Sequence, residues 1–375
     1  MTHADTIRSL EVRLVSWPLK MKRRHGVGDV DKVLPGVILR LTSEDGTIGW
    51  GEAAPWSVFS GTAEANLAAL DVYLRPLIIG RRACEVAQIM DASAHALVGH
   101  GEAKAALEMA LYDLWGRSAG LRVADLLGGV FREAIPLSVS IANPDFEADL
   151  EFLDERLADG VRLFKVKTGF LTHREDLARL EALKARMPKD AEIRIDYNQG
   201  LEPYGAVAKL RDMERFSPGF IEQPVKRHQR AAMGDLARAI DTPILADESV
   251  FNPAEAADLV AARYADAVSI KLMKAGGLTA ARTIAAITGA VGIPAYGGTM
   301  YEAGIALTAG IHLVAATPNL SLGAEFYTST FVLGVEILRN PVRLEGGHSH
   351  LPSGPGLGIE IDEDALDRVT VQTLR

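Results

Sequence analysis

The spacing of apolar residues changes along the chain, and the first part reads as strands followed by helices. EVRLVSWPL, GVILRLTS and TIGWGEA are strand-like segments within residues 7–55. Asp45-Gly46 suits the turn before the third segment, because glycine supplies the positive φ that a tight hairpin needs. From residue 62 to 127 apolar residues recur at three- and four-residue spacing, which predicts helices, with Gly120 as a C-cap. This first part is therefore predicted to be an α+β domain.

After residue 135 short apolar segments alternate with amphipathic helices. Eight segments are strand-like: LSVSI, LFKVKTG, IRIDYNQ, GFIEQPV, ILADES, AVSIKLM, IPAYGGTM and LSLGAEF. Such alternation indicates an α/β fold with a parallel barrel, (β/α)8 or a close variant. GLGIEIDEDALDRV near the end predicts a strand and a helix that return to the first domain. We assign residues 1–130 to a capping domain, 131–328 to the barrel, and 329–375 to the last barrel helix and the returning tail.

Composition narrows the class of protein without naming a function. The 375 residues carry a formal net charge of −9, which argues against nucleic acid as a partner. The single cysteine, Cys84, cannot form an internal disulfide, so we expect a cytoplasmic protein. The charged N-terminal stretch does not resemble a signal peptide, and no segment approaches the roughly 18–20 apolar residues of a membrane span. These features favour a cytoplasmic metabolic enzyme.

Charged residues stand at the ends of the predicted barrel strands, where apolar residues are expected. They are Lys165, Lys167, Asp196, Asn198 (polar), Glu222, Asp247, Glu248, Lys271 and Glu325. Successive charged sites lie 24 to 31 residues apart, about one β/α unit, apart from a double interval before Glu325. A single charge at a strand end is usually a salt bridge or a cap. A periodic series predicts an active site, because the carboxyl ends of barrel strands meet at one face.

Three of these residues are carboxylates on consecutive strands: Asp196, Glu222 and Asp247. Converging carboxylates repel one another unless a cation lies among them. Ligation by oxygen alone favours Mg²⁺ or Mn²⁺ over Zn²⁺. The alternative is a structural ion-pair network with the neighbouring lysines.

The lysines are candidates for proton transfer. Lys165 and Lys167 are two residues apart on a strand, so they point to the same side, and two adjacent ammonium groups lower each other's pKa. A lysine with a lowered pKa works as an acid or base near neutral pH. Lys271 arrives from the opposite strand. Glu325 either donates a hydrogen bond to a substrate carboxylate, if it is protonated, or holds Lys271 in place.

Two segments of the first domain contain further candidate residues. MKRRHGVGDVDKV has no apolar period and predicts a mobile loop, most of whose charges are solvated. The cations at its start would suit a dianionic substrate; they are Lys20, directly before the segment, and Lys22, Arg23, Arg24 and His25 within it. In the second segment, EAAPWSVFSGT, Trp56 and Phe59 either form an apolar lid wall or pack the two domains together. Further candidates for substrate contact are Thr299, Met300 and Tyr301.

These motifs together resemble the enolase superfamily, in its muconate-lactonising subgroup. FKVKTG resembles the family's K-x-K strand, and IRIDYNQ, FIEQP and ILADES resemble its three metal-ligand strands. AVSIKLMKAGG resembles the opposite lysine strand, and YGGTMYEAGIA and LGAEF resemble the last two strands of muconate cycloisomerases. The resemblance implies a modified (β/α)7β barrel, one Mg²⁺ or Mn²⁺ per subunit, a small carboxylate substrate and a homo-oligomer.

The favoured prediction is a muconate cycloisomerase that forms an enolate next to a carboxylate. Lys167 would transfer the proton, Lys165 would bind the carboxylate, and Lys271 would act from the other face. A racemase or epimerase of an N-substituted amino acid, dipeptide or proline derivative would use the same core. A dehydratase of a hydroxy acid also stays open. A barrel that only binds a ligand would lack some of these positions, and none is missing.

Overall fold

The N-terminal part of the chain forms an antiparallel sheet in the computed structural model, which describes residues 5–30 and 32–375. The strands in this part of the chain are β1 (Ile7–Trp17), β2 (Arg23–His25), β3 (Gly28–Val30), β4 (Leu34–Ser43) and β5 (Ile48–Ala53). β1, β4 and β5 form the predicted meander, while β2 and β3 form a separate hairpin. The mobile loop predicted there is therefore wrong for residues 23–30. Asp31 and residues 1–4 lie outside the described residues.

Helices cover one face of this sheet. They are α1 (Ala63–Ala68), a π-helical turn (Ala69–Leu74), α2 (Arg75–Ile78), α3 (Val86–Ala96), α4 (Gly101–Ala119) and α5 (Val123–Leu126). β5 lies so close to α4 that a Cβ at Gly51 would clash with the Ala106 carbonyl. The predicted C-cap is confirmed, since Gly120 ends α4 with φ 69°. This packing fixes the segment after β5 over the barrel.

Seven parallel strands form most of the barrel, in chain order around it. A short strand, β6 (Ala134–Pro136), precedes them, and they are β7 (Ser138–Ile141), β8 (Leu163–Lys167), β9 (Glu192–Asp196), β10 (Ile221–Glu222), β11 (Ile244–Ala246), β12 (Ala267–Ile270) and β13 (Ala295–Gly297). The eighth predicted segment, LSLGAEF, is not a regular strand. Ala324 within it bridges Leu137 on one side and Gly297 on the other, so it closes the barrel over a short length. The predicted modified barrel is thereby confirmed.

Helices alternate with the barrel strands, as the apolar spacing predicts. They are α6 (Phe146–Ala158), α7 (His173–Arg186), α8 (Ala206–Glu214), α9 (Arg230–Ala239), α10 (Pro253–Ala262), α11 (Leu272–Ala275), α12 (Leu278–Gly289), α13 (Gly304–Ala315) and α14 (Thr328–Phe331). α13 is buried on every side, because it lies between the barrel and the cap. Among the described residues, no helix combines the length and apolar character needed to cross a membrane.

The C-terminal tail contacts both parts of the molecule. Its elements are β14 (Leu344–Glu345), β15 (His348–His350), α15 (Glu363–Val369) and β16 (Thr370–Leu374). β15 pairs with β6 beside the barrel, and β16 pairs with β1 and so completes the cap sheet. The sequence predicted that the tail returns to the cap, but the predicted order of strand and helix is wrong. The helix α15 comes first, and the strand β16, with the sequence TVQTL, follows it. The domain boundaries at residues 130 and 328 stay a prediction.

Candidate active site

The polar side chains at the strand ends meet at one face of the barrel. Together they form the barrel floor: Lys165, Lys167, Asp196, Asn198, Glu222, Asp247, Glu248, Lys271 and Glu325. Each is at most 7 % exposed, so they are not solvated surface charges. Parallel pairing of β9 and β10 places Asp196 beside Glu222. The predicted convergence therefore holds for this set.

Lys165 lies at the centre of the floor. Its Nζ is 2.9 Å from Glu222 Oε2, 3.0 Å from Glu325 Oε1 and 3.4 Å from Asp196 Oδ2. These three carboxylates outweigh the burial that would lower its pKa, and the pKa of Lys165 is raised. The expectation that the neighbouring lysine lowers the pKa of Lys165 is therefore wrong in this arrangement, because the charges of Glu222, Glu325 and Asp196 raise that pKa.

Lys167 is fixed by two acceptors at the end of β9. Its Nζ donates to Asp196 Oδ2 at 2.5 Å and to Asn198 Oδ1 at 2.8 Å. Asn198 in turn donates through Nδ2 to Glu248 Oε1 at 3.2 Å. The amide of Asn198 thus orients Lys167 and links it to the next acidic residue.

Asp247 holds two lysines from the following segment. Lys271 Nζ donates to its Oδ2 at 2.6 Å, and Lys274 Nζ donates to its Oδ1 at 2.7 Å. The charge of Asp247 outweighs the burial of Lys271 and raises the pKa of that lysine. Lys274 was not predicted as a site residue. Its position three residues after Lys271, in the single turn of α11, was the available signal.

The carboxylates converge, but the lysines take up their contacts. Among the described residues, no three acidic, histidine or cysteine side chains are spaced to hold a metal ion as they stand. The lysines stand where an ion-pair network would place them, and the choice between that network and a metal site stays a prediction. Even so, the buried oxygens Glu222 Oε1 and Glu248 Oε2 have no hydrogen-bond partner. Burial and the charge of Asp196 raise the pKa of Glu222 to about 8.

These features fit a hard divalent cation better than they fit a finished ion-pair network. The donors are carboxylate oxygens from neighbouring strands, which Mg²⁺ and Mn²⁺ prefer. Unpartnered buried oxygens and a raised carboxyl pKa both indicate too little positive charge at this point. Asp196, Glu222 and Asp247 could receive a cation if the lysines moved off them.

Glu325 has a different role from either one predicted. It contacts Lys165 rather than Lys271, and its Oε1 accepts from Ser140 Oγ at 2.8 Å. Although burial would raise its pKa, Lys165 and Lys167 lower it, so the carboxyl group is ionised. An ionised Glu325 cannot donate a hydrogen bond to a substrate carboxylate.

Aromatic residues face the floor and form the cap wall, which consists of His25, Trp56 and Phe59 from the cap and Tyr301 from the segment after β13. His25 Nε2 is hydrogen-bonded to Tyr301 OH, and its ring meets Trp56 edge-on, with 5.1 Å between centroids. Phe59 stacks on Trp56 at 6.2 Å and lies over Lys271 Nζ at 4.7 Å. The wall both encloses the site and joins the cap to the barrel, so the two predicted roles of Trp56 and Phe59 apply together.

The β2–β3 hairpin carries part of this wall. The backbone N–H of Arg24 donates to the Ala142 carbonyl, and this hydrogen bond holds the hairpin against the end of β7. His25 is 8 % exposed and Arg23 is 2 % exposed, so the prediction of mainly solvated charges is wrong for these two. Burial, followed by the charge of Lys167, lowers the pKa of His25, and its ring is neutral.

The remaining predicted contact residues also border the cavity. Thr299 and Met300 follow β13 and line it together with Tyr301. Five further lining residues were not predicted as site residues: Arg23, Ser140, Tyr327, Thr328 and Val332. Arg23 was named only as one cation of a loop, because the sequence does not show which face of the hairpin is buried.

Little space remains between the floor and the cap wall. The cavity has a volume of about 40 Å³, room for only one or two water molecules. A larger cleft of about 590 Å³ lies near Phe251, which stacks on Phe59. No floor residue lines this cleft, although Lys274, which donates to Asp247, does. The smaller cavity contains the candidate catalytic residues, and a substrate would fit there only if the wall or the lysines moved.

Comparison with known proteins identifies the family of this chain. Residues 7–128 match the family described as mandelate racemase / muconate lactonizing enzyme, N-terminal domain, and residues 148–365 match enolase C-terminal domain-like proteins. A muconate cycloisomerase from Azorhizobium caulinodans has a similar crystal structure, with TM-score 0.87, 46% identity, and coverage of 98% of this chain and 99% of that one.

Two curated relatives differ in activity. L-Ala-D/L-Glu epimerase of Bacillus subtilis (strain 168) is 35% identical over 86% of this chain and 88% of its own length. Chloromuconate cycloisomerase of Cupriavidus pinatubonensis is 34% identical over 96% of this chain and 98% of its own length. The chain belongs to the mandelate racemase / muconate lactonizing enzyme family of the enolase superfamily, and it is an isomerase.

Proposed function

We propose that this isomerase is a metal-dependent cycloisomerase that interconverts cis,cis-muconate and muconolactone. The observation that carries the proposal is the pair of lysine positions around one cavity, Lys167 from β8 and Lys271 from the end of β12, beside three converging carboxylates. The similarity to muconate and chloromuconate cycloisomerases supports the same reaction.

Asp196, Glu222 and Asp247 would hold the Mg²⁺ or Mn²⁺. A divalent cation bound there supplies Lewis-acid stabilisation of negative charge on the substrate carboxylate. Its charge would also replace the lysines as partners of the carboxylates. Lys165 and Lys167 would then turn toward the cavity, where their ammonium groups could reach a substrate.

Each lysine has a separate task in this proposal. Lys167 adds or removes the proton on the carbon next to the carboxylate, and Asn198 keeps its Nζ oriented. Lys165, held by the ionised Glu325, binds the carboxylate. Lys271 lies on the opposite side and stabilises the enolate or acts as a second acid. The neutral aromatic cap wall excludes water while the enolate exists.

A racemase or epimerase of an N-substituted amino acid or dipeptide is the second candidate. Two lysines that can reach opposite faces of one carbon are what inversion requires, and the 35% identical epimerase supports it. The two reactions differ in outcome, because one closes a ring on a diene and the other inverts a stereocentre. Assembly into a homo-oligomer stays a prediction.

A direct test incubates the protein with cis,cis-muconate and Mg²⁺ or Mn²⁺ and follows the loss of diene absorbance. We expect turnover that stops on exhaustive chelation and returns when the metal is restored. Full activity after chelation would contradict the metal assignment. Parallel reactions in D₂O with N-succinyl amino acids, dipeptides and proline betaines test the second candidate, whose result would be α-deuteration with inversion and no muconate turnover.

A further inference from the structure

A buried carboxylate of the cap holds the start of a barrel helix. Glu52 is the second-last residue of β5, and it is fully buried. Its Oε1 accepts from the Ala303 backbone N–H at 2.5 Å, and its Oε2 accepts from the Ala306 backbone N–H at 2.9 Å. Both oxygens are therefore in use, and both partners lie at the N-terminal end of α13.

The sequence of α13 supplies no cap of its own. Its N-cap is Ala303 and its third residue is Ala306, and neither has a side-chain oxygen. In a capping box, side chains at these two positions satisfy the same two N–H groups. Because both alanines are buried, water does not take over, and a buried N–H without an acceptor is costly. One carboxylate from the cap does the work of both missing side chains.

The alternation of side chains along β5 aims Glu52 at α13. Successive residues of a strand point to opposite faces of the sheet. Gly49 and Gly51 lie against α4, where a Cβ at Gly51 would clash with the Ala106 carbonyl. Glu52 therefore points away from α4 and toward the barrel.

The contact of Glu52 with α13 lies between two residues of the cap wall. Trp56 follows Glu52 by four residues, and Tyr301 precedes Ala303 by two. The rings of Trp56 and Tyr301 meet edge-on, with 5.5 Å between their centroids, and both border the small cavity above the floor. Residues 54–62 and 298–303 form neither helix nor strand, so side-chain contacts decide where these two rings stand.

Other contacts hold the Tyr301 segment within the barrel. Glu302 Oε2 accepts from the Met300 backbone N–H at 2.6 Å, and the Glu302 carbonyl accepts from Thr328 Oγ1. Glu52 differs from these contacts because it joins the strand before Trp56 to the helix after Tyr301.

We propose that Glu52 is a positioning residue that sets the spacing of Trp56 and Tyr301 and so closes the cap wall over the substrate. Glu52 does not line the cavity itself, and it acts through these two rings. The inference rests on the proposed function only in taking the small cavity as the substrate site. Without this carboxylate the start of α13 is no longer held by β5, so the two rings separate and the cavity opens to water.

A second carboxylate of the cap offers a matched control. Glu108 on α4 is 1 % exposed, and it accepts from the Thr279 backbone N–H at 3.1 Å in the first turn of α12. Like Glu52, it is a buried glutamate of the cap at the N-terminus of a barrel helix. Within residues 5–30 and 32–375, no residue of α4 or α12 lines the small cavity. Replacing Glu108 should therefore lower stability without disturbing the wall.

Fluorine NMR of the protein labelled with 5-fluorotryptophan tests the proposal without any substrate. The chain has four tryptophans, and the Trp56→Phe variant identifies the resonance of Trp56. We expect Glu52→Gln to shift or broaden this resonance, because the amide NH₂ of Gln leaves one N–H of α13 without an acceptor. Glu108→Gln should leave the resonance in place.

The opposite results would overturn the proposal. They are an unmoved Trp56 resonance in Glu52→Gln, or an equal change in Glu108→Gln. If Glu52→Gln fails to fold, Glu52→Asp replaces it and is expected to move the resonance in the same way, because its shorter side chain keeps the charge but loses reach.

Steady-state kinetics with muconate test the effect on the reaction. Glu52→Gln should lower kcat/KM about 10- to 100-fold, chiefly through a higher KM, because a displaced wall binds the substrate and the transition state less well alike. Glu108→Gln should stay within about threefold of the unmodified protein. A loss of stability in Glu52→Gln with no change in kcat/KM would make Glu52 an ordinary helix cap and overturn the proposal.

Failure of this inference is distinct from failure of the proposed function. A moved Trp56 resonance in a protein that does not convert muconate would keep the role of Glu52 and remove the cycloisomerase reaction. Turnover of muconate with an unmoved resonance in Glu52→Gln would keep the reaction and remove the role of Glu52.

Discussion

Two sets of buried polar side chains differ in how well the fold satisfies them. The barrel floor contains unpartnered oxygens on Glu222 and Glu248 and carboxylates that repel one another. The second set is Asp113 and His312, the junction pair, where the cap, α13 and the tail meet. Both sets are almost fully buried, so burial does not explain the difference.

Every polar atom of the junction pair has a partner. Asp113 Oδ2 accepts from Trp50 N–H at 2.9 Å, and its Oδ1 accepts from Leu357 N–H at 2.7 Å and from Arg117 Nε at 2.9 Å. His312 Nδ1 lies 3.1 Å from the Ala124 amide nitrogen, while its Nε2 lies 3.1 Å from the Leu357 carbonyl.

We therefore propose that the junction pair serves stability and that the floor serves chemistry. Unpartnered buried groups and like charges persist in a fold where function requires them, because the surrounding structure compensates for the free energy that they cost. Substitutions in the floor should therefore cost activity more than stability, and substitutions in the junction pair should do the reverse.

The largest effect is expected for Lys167→Ala, which removes the proposed acid or base. Muconate turnover should fall roughly 100- to 10,000-fold, the usual contribution of general acid–base catalysis. Deuterium from solvent should no longer enter the carbon next to the carboxylate, as measured by NMR, while Mg²⁺ still binds. Lys184→Ala, an exposed lysine on α7, is the control. Unchanged exchange in Lys167→Ala would remove its assignment.

Asp113→Ala should have the largest effect on stability. The change leaves two buried N–H groups and Arg117 Nε without their acceptor, so the free energy of unfolding should fall by about 3–5 kcal/mol. Urea unfolding measures the loss, and Asp91→Ala on the exposed face of α3 is the matched control. Equal losses in the two variants would contradict the stabilising role of the junction pair.

His312 should make stability depend on pH. Burial lowers its pKa from 6.5 to about 4 in the folded protein. The unfolded chain therefore binds this proton first, and the stability from neutral His312 is present above pH 6.5 and lost as pH falls toward 4. The loss amounts to about 3 kcal/mol. Urea unfolding of His312→Gln should show a correspondingly weaker pH dependence, and His95→Gln on α3 should match the unmodified protein.

Glu222→Gln should have the smallest effect on the metal-free protein. Gln keeps an oxygen for Lys165 and removes the repulsion from Asp196, so the free energy of unfolding in EDTA should stay within about 1 kcal/mol or rise. A loss as large as that of Asp113→Ala would mean that the floor is built for stability, and the comparison would fail.

The barrel and its floor could be predicted because both leave a period in the sequence. Apolar segments recur once per β/α unit, and Lys165, Asp196, Glu222, Asp247 and Lys271 recur with them. Barrel geometry then brings the strand ends together without further information. The short eighth segment followed the same period, although only Ala324 within it forms bridges.

Features decided by tertiary contacts could not be predicted in this way. The β2–β3 hairpin has no apolar period, and Arg23 and His25 are buried only because the hairpin lies against the end of β7. β16 forms because β1 offers a free edge. The raised pKa of Lys165 depends on three carboxylates that are distant in sequence.

Binding of Mg²⁺ to protein freed of metal by EDTA tests the central claim most directly. We predict that calorimetric titration of the unmodified protein saturates at one ion per chain, and that Glu222→Gln, folded and equally stable, binds at least about tenfold more weakly. Absence of Mg²⁺ and Mn²⁺ binding, or equal affinity in the variant, would show that the buried carboxylates serve only their lysine partners.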